Sequence, residues 1–162
     1  MIKADGHIFV LETAHTTYCF WRMETGHLEH LYYGRHLTLP EHPAERDVAP
    51  LMEKHTFAPG NTNLCDGEHP AFSLEDMRLE MSSYGKGDIR EPFVEIVHAD
   101  GSTTSDFRYE NYEITEKTAE TENGDLPGAY DERGEAQRLC IRLRDHSYDL
   151  VLELHYDVYA EC

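Results

Sequence analysis

Residues 139–159 read Leu139-Cys140-Ile141-Arg142-Leu143-Arg144-Asp145-His146-Ser147-Tyr148-Asp149-Leu150-Val151-Leu152-Glu153-Leu154-His155-Tyr156-Asp157-Val158-Tyr159. Leu139, Ile141 and Leu143 alternate with Cys140, Arg142 and Arg144. Leu150, Leu152, Leu154, Tyr156 and Val158 then alternate with Val151, Glu153, His155, Asp157 and Tyr159. A period of two sends one set to a buried face and the other to solvent, which is the signature of a strand. Asp145-His146-Ser147 between the two runs supplies turn chemistry. The stretch predicts an antiparallel hairpin.

Working outward, the same period recurs. Pro92–Val97 leads through Ala99-Asp100-Gly101-Ser102 into Thr103–Tyr109, and an Asp-Gly turn between extended runs predicts a second hairpin. Further strands are predicted at His7–Leu11, Thr16–Met23, His27–Gly34 and Asn111–Thr118, with Glu24-Thr25-Gly26 linking the second and third. No segment sustains a 3.6-residue period over ten residues. A short helical turn is expected over Leu74–Leu79, after Ser73 as cap with Asp76 three residues on. The predicted fold class is all-β. Pro40, Pro43, Pro50, Pro59 and Pro70 fall in one interval together with Gly60, Asn61, Asn63 and Gly67. Proline fixes φ and removes a ladder donor, so a long loop over residues 40–72 is expected.

The chain has 162 residues, which fits a single domain, 1–162, and is too short for a complete (β/α)₈ barrel of about 200 residues or more. Lys and Arg number 14 against 32 Asp and Glu, a formal charge of −18. Nucleic acid and anionic membrane both require clustered cations, so neither is expected as a partner. The mean hydropathy of −0.63 would suit a disordered chain, but 40% hydrophobic residues with 10 Tyr, 6 Phe and 1 Trp argue for a packed core. Met1-Ile2-Lys3-Ala4-Asp5-Gly6 does not read as a signal peptide. Cys19, Cys65, Cys140 and Cys162 show no Cys-x-x-Cys spacing and read as free thiols of a cytoplasmic protein.

The motifs for chemistry are sparse. Of the 11 His, His27 and His30 are three apart, on opposite faces of a strand. His42, His55 and His69 lie in the loop without a ligand cluster, so no metal ligand set and no cofactor are expected. Gly85-Lys86-Gly87 lacks the rest of a P-loop, and Gly-x-Ser-x-Gly is absent. Trp21, Tyr18, Phe20, Tyr32 and Tyr33 can stack on a sugar ring or fill a core between sheets, and the area they bury favours the core. Tyr84-Gly85-Lys86-Gly87-Asp88-Ile89-Arg90-Glu91-Pro92 reads as a tight corner. In it Asp88 and Arg90, two apart, can each pin the backbone by charge-assisted bonds.

Several stretches together resemble the N-terminal domain of family 36 α-galactosidases, which are retaining glycoside hydrolases. They are Gly26-His27-Leu28-Glu29-His30-Leu31-Tyr32-Tyr33-Gly34, Phe72-Ser73-Leu74-Glu75, Gly85-Lys86-Gly87-Asp88-Ile89-Arg90-Glu91-Pro92, Asp100-Gly101-Ser102, Asp106-Phe107-Arg108-Tyr109, Leu126-Pro127-Gly128-Ala129-Tyr130 and the last hairpin. Asp88-Ile89-Arg90 stands where the family commonly has Asp-Phe-Arg. The resemblance implies a large antiparallel β-sandwich preceding a catalytic barrel, with the sandwich unfinished at the C-terminal end of this chain. The family's catalytic aspartates lie in the barrel, so no catalytic residue is carried over, and this chain alone is expected to be inactive. The implied partners are the chain's own barrel, neighbouring subunits and a galactoside such as melibiose or raffinose. The family's long loop reaches a neighbouring subunit's active site; it corresponds here to Phe57–Phe72, with Asn61, Asn63, Asp66 and His69 as hydrogen-bonding groups for sugar. A different class, an autonomous β-sandwich that binds carbohydrate or protein, also fits the aromatic content. A sandwich with uncovered edges is further expected to self-associate.

Overall fold

The computed structural model describes residues 1–52, 73–117 and 136–161. Its strands form two antiparallel sheets. The first has the order β1 (Ile2–Ala4), β2 (Ile8–Glu12), β3 (Thr16–Arg22), β4 (Leu28–Arg35); the second has β5 (Phe107–Lys117), β6 (Ala136–Asp145), β7 (Leu150–Tyr159). The all-β class predicted from the period of two, and the antiparallel sandwich that the resemblance implies, are the observed fold.

The terminal hairpin decides the register. β6 and β7 pair without a shift from Ala136↔Tyr159 to Asp145↔Leu150. That register turns Leu139, Ile141, Leu143, Leu154 and Val158 inward, where they meet Phe9, Leu11, Phe20 and Leu28 of the first sheet in one core. Phe20 stacks on Phe9 within its sheet at 5.0 Å and on Tyr156 across the sandwich at 5.2 Å. Each such side chain contributes about 1.5–3 kcal/mol by leaving water. A second, smaller core covers the other face of the first sheet: Ile8, Val10, Cys19 and Leu31 pack with Val48. Strand β2 is therefore buried on both faces, which accounts for the unbroken apolar run Ile8-Phe9-Val10-Leu11.

The structure corrects several expectations. The second hairpin forms only its turn, where Gly101 N–H donates to His98 O at 2.9 Å and His98 N–H to Ser102 O at 2.8 Å. Residues 92–97 bend at Phe93 and Val94, and Val94 and Ile96 pack on the core, yet the segment makes no ladder; Phe93 N–H donates to Ser82 O instead. The period of two registered a half-buried face rather than a strand pair. The strands expected at 103–109 and 111–118 are one strand, β5, bulged at Glu110, since Tyr109 pairs with Leu143 and Asn111 with Arg142. Inside the expected loop, Glu45–Val48 forms a one-turn helix, α1, and Ala49–Leu51 a 3₁₀ turn. Asp47 Oδ2 accepts the Ala44 N–H at 2.9 Å to close the helix start, and Pro50 falls at the start of the 3₁₀ turn, where a missing N–H costs nothing. The turn after Ser73 is only Leu74–Asp76, and the Ser73 hydroxyl makes no capping bond; its oxygen is buried without a partner. No helix among the described residues is long and apolar enough to cross a membrane.

Candidate functional site

The residues that follow position 72 run along the outer edge of β4. Leu79 bridges Glu29, His30 N–H donates to Arg78 O at 2.7 Å, and Glu80 N–H donates to Leu28 O at 2.9 Å. Three side chains of this segment and the corner beyond it act as pins.

Arg90 is the first. Its Nε donates to Asp88 Oδ1 at 2.8 Å, one terminal nitrogen donates to Leu74 O at 2.7 Å, and the other donates to Met77 O. The Asp88 carboxyl is fully buried, whereas the Arg90 side chain is 38% exposed. The corner that aims them depends on three successive left-handed residues, Gly85 (φ 101°), Lys86 (φ 56°) and Gly87 (φ 84°). A Cβ at Gly85 would lie 2.5 Å from Thr104 Cγ2, so only glycine fits there. Arg78 is the second pin, donating to Leu51 O at 3.1 Å. The two guanidinium groups thus hold carbonyls on either side of residues 53–72, at Leu51 and at Leu74. Asn61, Asn63, Asp66 and His69, the groups expected to face sugar, lie outside the described residues.

Glu80 is the third. Both its carboxylate oxygens accept the Tyr18 hydroxyl, at 2.6 and 2.7 Å, and Oε1 also accepts the Tyr156 hydroxyl at 2.8 Å. His30 Nδ1 lies 3.5 Å from Oε2. Tyr18 belongs to β3 and Tyr156 to β7, so this one carboxylate joins the two sheets. Burial and the neighbouring carboxylate push both phenols well above the ordinary tyrosine range. Glu80, Tyr18 and Tyr156 border a cleft of about 340 Å³ with Met81 and Phe93.

A further polar cluster sits at the tip of the β3–β4 hairpin. Asp106 accepts from His27 Nε2 at 2.9 Å and from Arg108 at 3.0 and 3.1 Å. Burial alone would raise its pKa, but the hydrogen bonds and charges of His27 and Arg108 outweigh burial and hold it at about 2. His27 Nδ1 meets the Thr25 hydroxyl at 3.0 Å, which places it here rather than in a set with His30.

The aromatic residues do not converge on one platform. Phe20 is in the core, Trp21 Nε1 donates to Glu29 Oε2 at 2.6 Å, Tyr32 packs on the second core, and Tyr33 is exposed. Each of these buried carboxylates has a partner on one oxygen or both: Glu12 meets Lys3, Glu29 Trp21, Asp88 Arg90, and Asp145 the Asp106 and Ser147 N–H groups, while Glu12 Oε1 and Asp88 Oδ2 are buried without one. Sequence reasoning missed Glu80, because nothing local marks it; its partners are 62 and 76 residues away.

The model of the glycosyl hydrolase family 36 N-terminal domain matches residues 26–162, and the chain belongs to that family. It is 31% identical over 154 residues to the bifunctional alpha-galactosidase/sucrose kinase AgaSK of Mediterraneibacter gnavus, covering 95% of this chain and 16% of the relative. It is 31% identical over 159 residues to alpha-galactosidase AgaA of Geobacillus stearothermophilus, covering 94% of this chain and 20% of that protein. The crystal structure of AgaA A355E D548N in complex with raffinose superposes with a TM-score of 0.78 at 26% identity, over 95% of this chain and 20% of that one. The alpha-galactosidase of Lactobacillus brevis gives 0.77 at 27% identity, over 94% and 19%. The chain therefore spans about a sixth to a fifth of the length of these relatives.

Proposed function

We propose that this chain serves as the non-catalytic N-terminal domain of a cytoplasmic α-galactosidase that removes terminal α-galactosyl residues from oligosaccharides such as melibiose and raffinose. The observation that carries this reading is the family match along residues 26–162 in a chain that spans about a sixth to a fifth of the curated relatives named above. The domain's work is assembly. Arg78 and Arg90 fix the backbone on either side of residues 53–72, and this interval carries Asn61, Asn63, Asp66 and His69 to the sugar-binding mouth of a neighbouring subunit. β7, last in the order of its sheet, supports strand addition by a second copy.

The test has two arms. The purified chain is expected to release no nitrophenol from a nitrophenyl α-galactoside and to show no binding of galactose, melibiose or raffinose at millimolar concentration. Millimolar or tighter binding would replace the reading with an autonomous carbohydrate-binding module. In the complete enzyme, Asn61→Ala and His69→Ala are expected to raise KM for raffinose with kcat little changed; unchanged KM would remove the loop from the substrate site.

A further inference from the structure

The outward face of the second sheet carries a convergence that the sequence alone hides. Cys140 on β6 and His155 on β7 are fifteen residues apart, and the hairpin register makes them direct cross-strand partners. Cys140 Sγ lies 3.8 Å from His155 Nε2, and the same Nε2 lies 3.4 Å from Glu153 Oε2. All three ligand atoms fall within 4.8 Å of one another.

We infer that Cys140, Glu153 and His155 form a binding site for a borderline-soft divalent cation, zinc above all, on the outer face of the terminal hairpin. The spacing carries the inference. For bonds of about 2.3 Å to sulfur and about 2.1 Å to nitrogen and oxygen, the edges of a tetrahedron are about 3.6 Å for S···N and about 3.4 Å for N···O. The two edges that meet at His155 Nε2, 3.8 Å to sulfur and 3.4 Å to oxygen, match within a few tenths of an ångström, and the third edge is under 4.8 Å. The donor set is also selective: thiolate and imidazole favour zinc over calcium or magnesium, which take oxygen ligands. Arg142 holds Glu153 by Oε1, at 2.6 and 3.2 Å, and leaves Oε2 turned toward His155. That fixes the carboxylate as an outer-shell partner fixes a ligand. Glu153 and His155 are exposed, so the cation has an open approach and solvent supplies the fourth position. Binding forms a metal–sulfur bond and releases the thiol proton to buffer. One residue on β6 and two on β7 are easily missed in a search for ligands close in sequence, and the expectation of no metal ligand set weighed only such spacings.

Cobalt chloride added to the 162-residue chain tests the site, because a thiolate ligand gives a charge-transfer band in the near ultraviolet. The expected result is one cobalt per chain, displaced by zinc, with the band lost in Cys140→Ser and retained in Cys65→Ser and Cys162→Ser. His155→Ala and Glu153→Gln are expected to weaken binding by about tenfold or more. In parallel, zinc is expected to protect Cys140 from alkylation in the folded chain, read by mass spectrometry, and this readout needs no variant. A band that survives Cys140→Ser, or unchanged alkylation of Cys140 at saturating zinc, would overturn the site. The folded state of each variant is checked by circular dichroism, and none of these outcomes depends on the chain's role in an α-galactosidase.

Discussion

Removing the Arg90 side chain by Arg90→Ala is expected to cost about 3 kcal/mol. Hydrogen bonds to charged groups are each worth about 1.5–3 kcal/mol net, and Arg90 makes three, to Asp88, Leu74 O and Met77 O. Breaking a fully buried pair by removing one partner costs about 3–5 kcal/mol. The fully buried Asp88 carboxyl would be stranded, with Oδ2 already lacking a partner, while the 38% exposure of Arg90 lets water screen part of the pair. The lower end of the range follows. At about 2–4 °C per kcal/mol for a chain of this size, the midpoint of thermal unfolding falls by about 6–12 °C. Arg90→Lys keeps the charge but cannot fork to three acceptors, so it recovers only about 1 kcal/mol. Neutralising the stranded acid, Asp88→Asn in the Arg90→Ala background, returns about 1 kcal/mol more. Urea denaturation followed by circular dichroism reads all four chains. An Arg90→Ala chain within about 0.5 kcal/mol of the parent, the range of an ordinary surface substitution, would refute the reasoning.

Three other outcomes follow from the same structure. Asp106 titrates at about 2 in the folded chain against an ordinary 3.8, so its stabilising share of about 2 kcal/mol is present above about pH 4 and lost as pH falls toward 2. Denaturation from pH 6 to 3 should show the gap between parent and Asp106→Asn closing with acid; a constant gap would contradict the ion cluster. Gly85→Ala combines a left-handed backbone with a 2.5 Å contact to Thr104 and should cost about 3 kcal/mol, whereas Gly101→Ala, with nothing within 4 Å, should cost about 1 kcal/mol from backbone strain alone. Equal costs in urea would remove the packing argument at Gly85. Glu80→Gln keeps the side chain's shape but not the charged acceptor of two tyrosine hydroxyls, and should cost about 2 kcal/mol by urea denaturation, with no loss expected if Glu80 did not join the sheets.

What the sequence disclosed depended on the range of each interaction. The hairpin of β6 and β7 was legible because its period and its turn are local. So were β2, β3 and β4, whose bounds shift by only a residue or two. Strand β1 was not, since three residues carry too little period. Residues 92–97 misled because alternation reports which face is buried and is silent about who supplies the ladder. The corner at Asp88 and Arg90 could be named from two glycines and a charge pair, but its targets, the carbonyls of Leu74 and Met77, carry no side-chain signal. Glu80 depends on how the two sheets pack, and the trio Cys140, Glu153 and His155 on the pairing of β6 with β7, so each becomes visible only in the folded chain.

The charge balance explains why so much of this architecture rests on arginine. With 14 cations against 32 acids, cations are outnumbered more than two to one, and the guanidinium groups are decisive where they occur. Arg90 satisfies a buried acid and two carbonyls, Arg78 holds Leu51 O, and Arg108 supports Asp106. On the outer face of the second sheet, Arg138 pairs with Asp157, Arg142 with Glu153, and Arg144 with both Glu110 and Asp149. A planar fork that serves two or three acceptors does more per cation than an ammonium can. Lysine is correspondingly rare in these roles, with Lys3 on Glu12 the closest pair. Mutual repulsion among the surplus acids is screened beyond about 8 Å at physiological salt. The pins therefore act over short range and stay effective in salt, while the surplus charge sets how the surface meets other molecules.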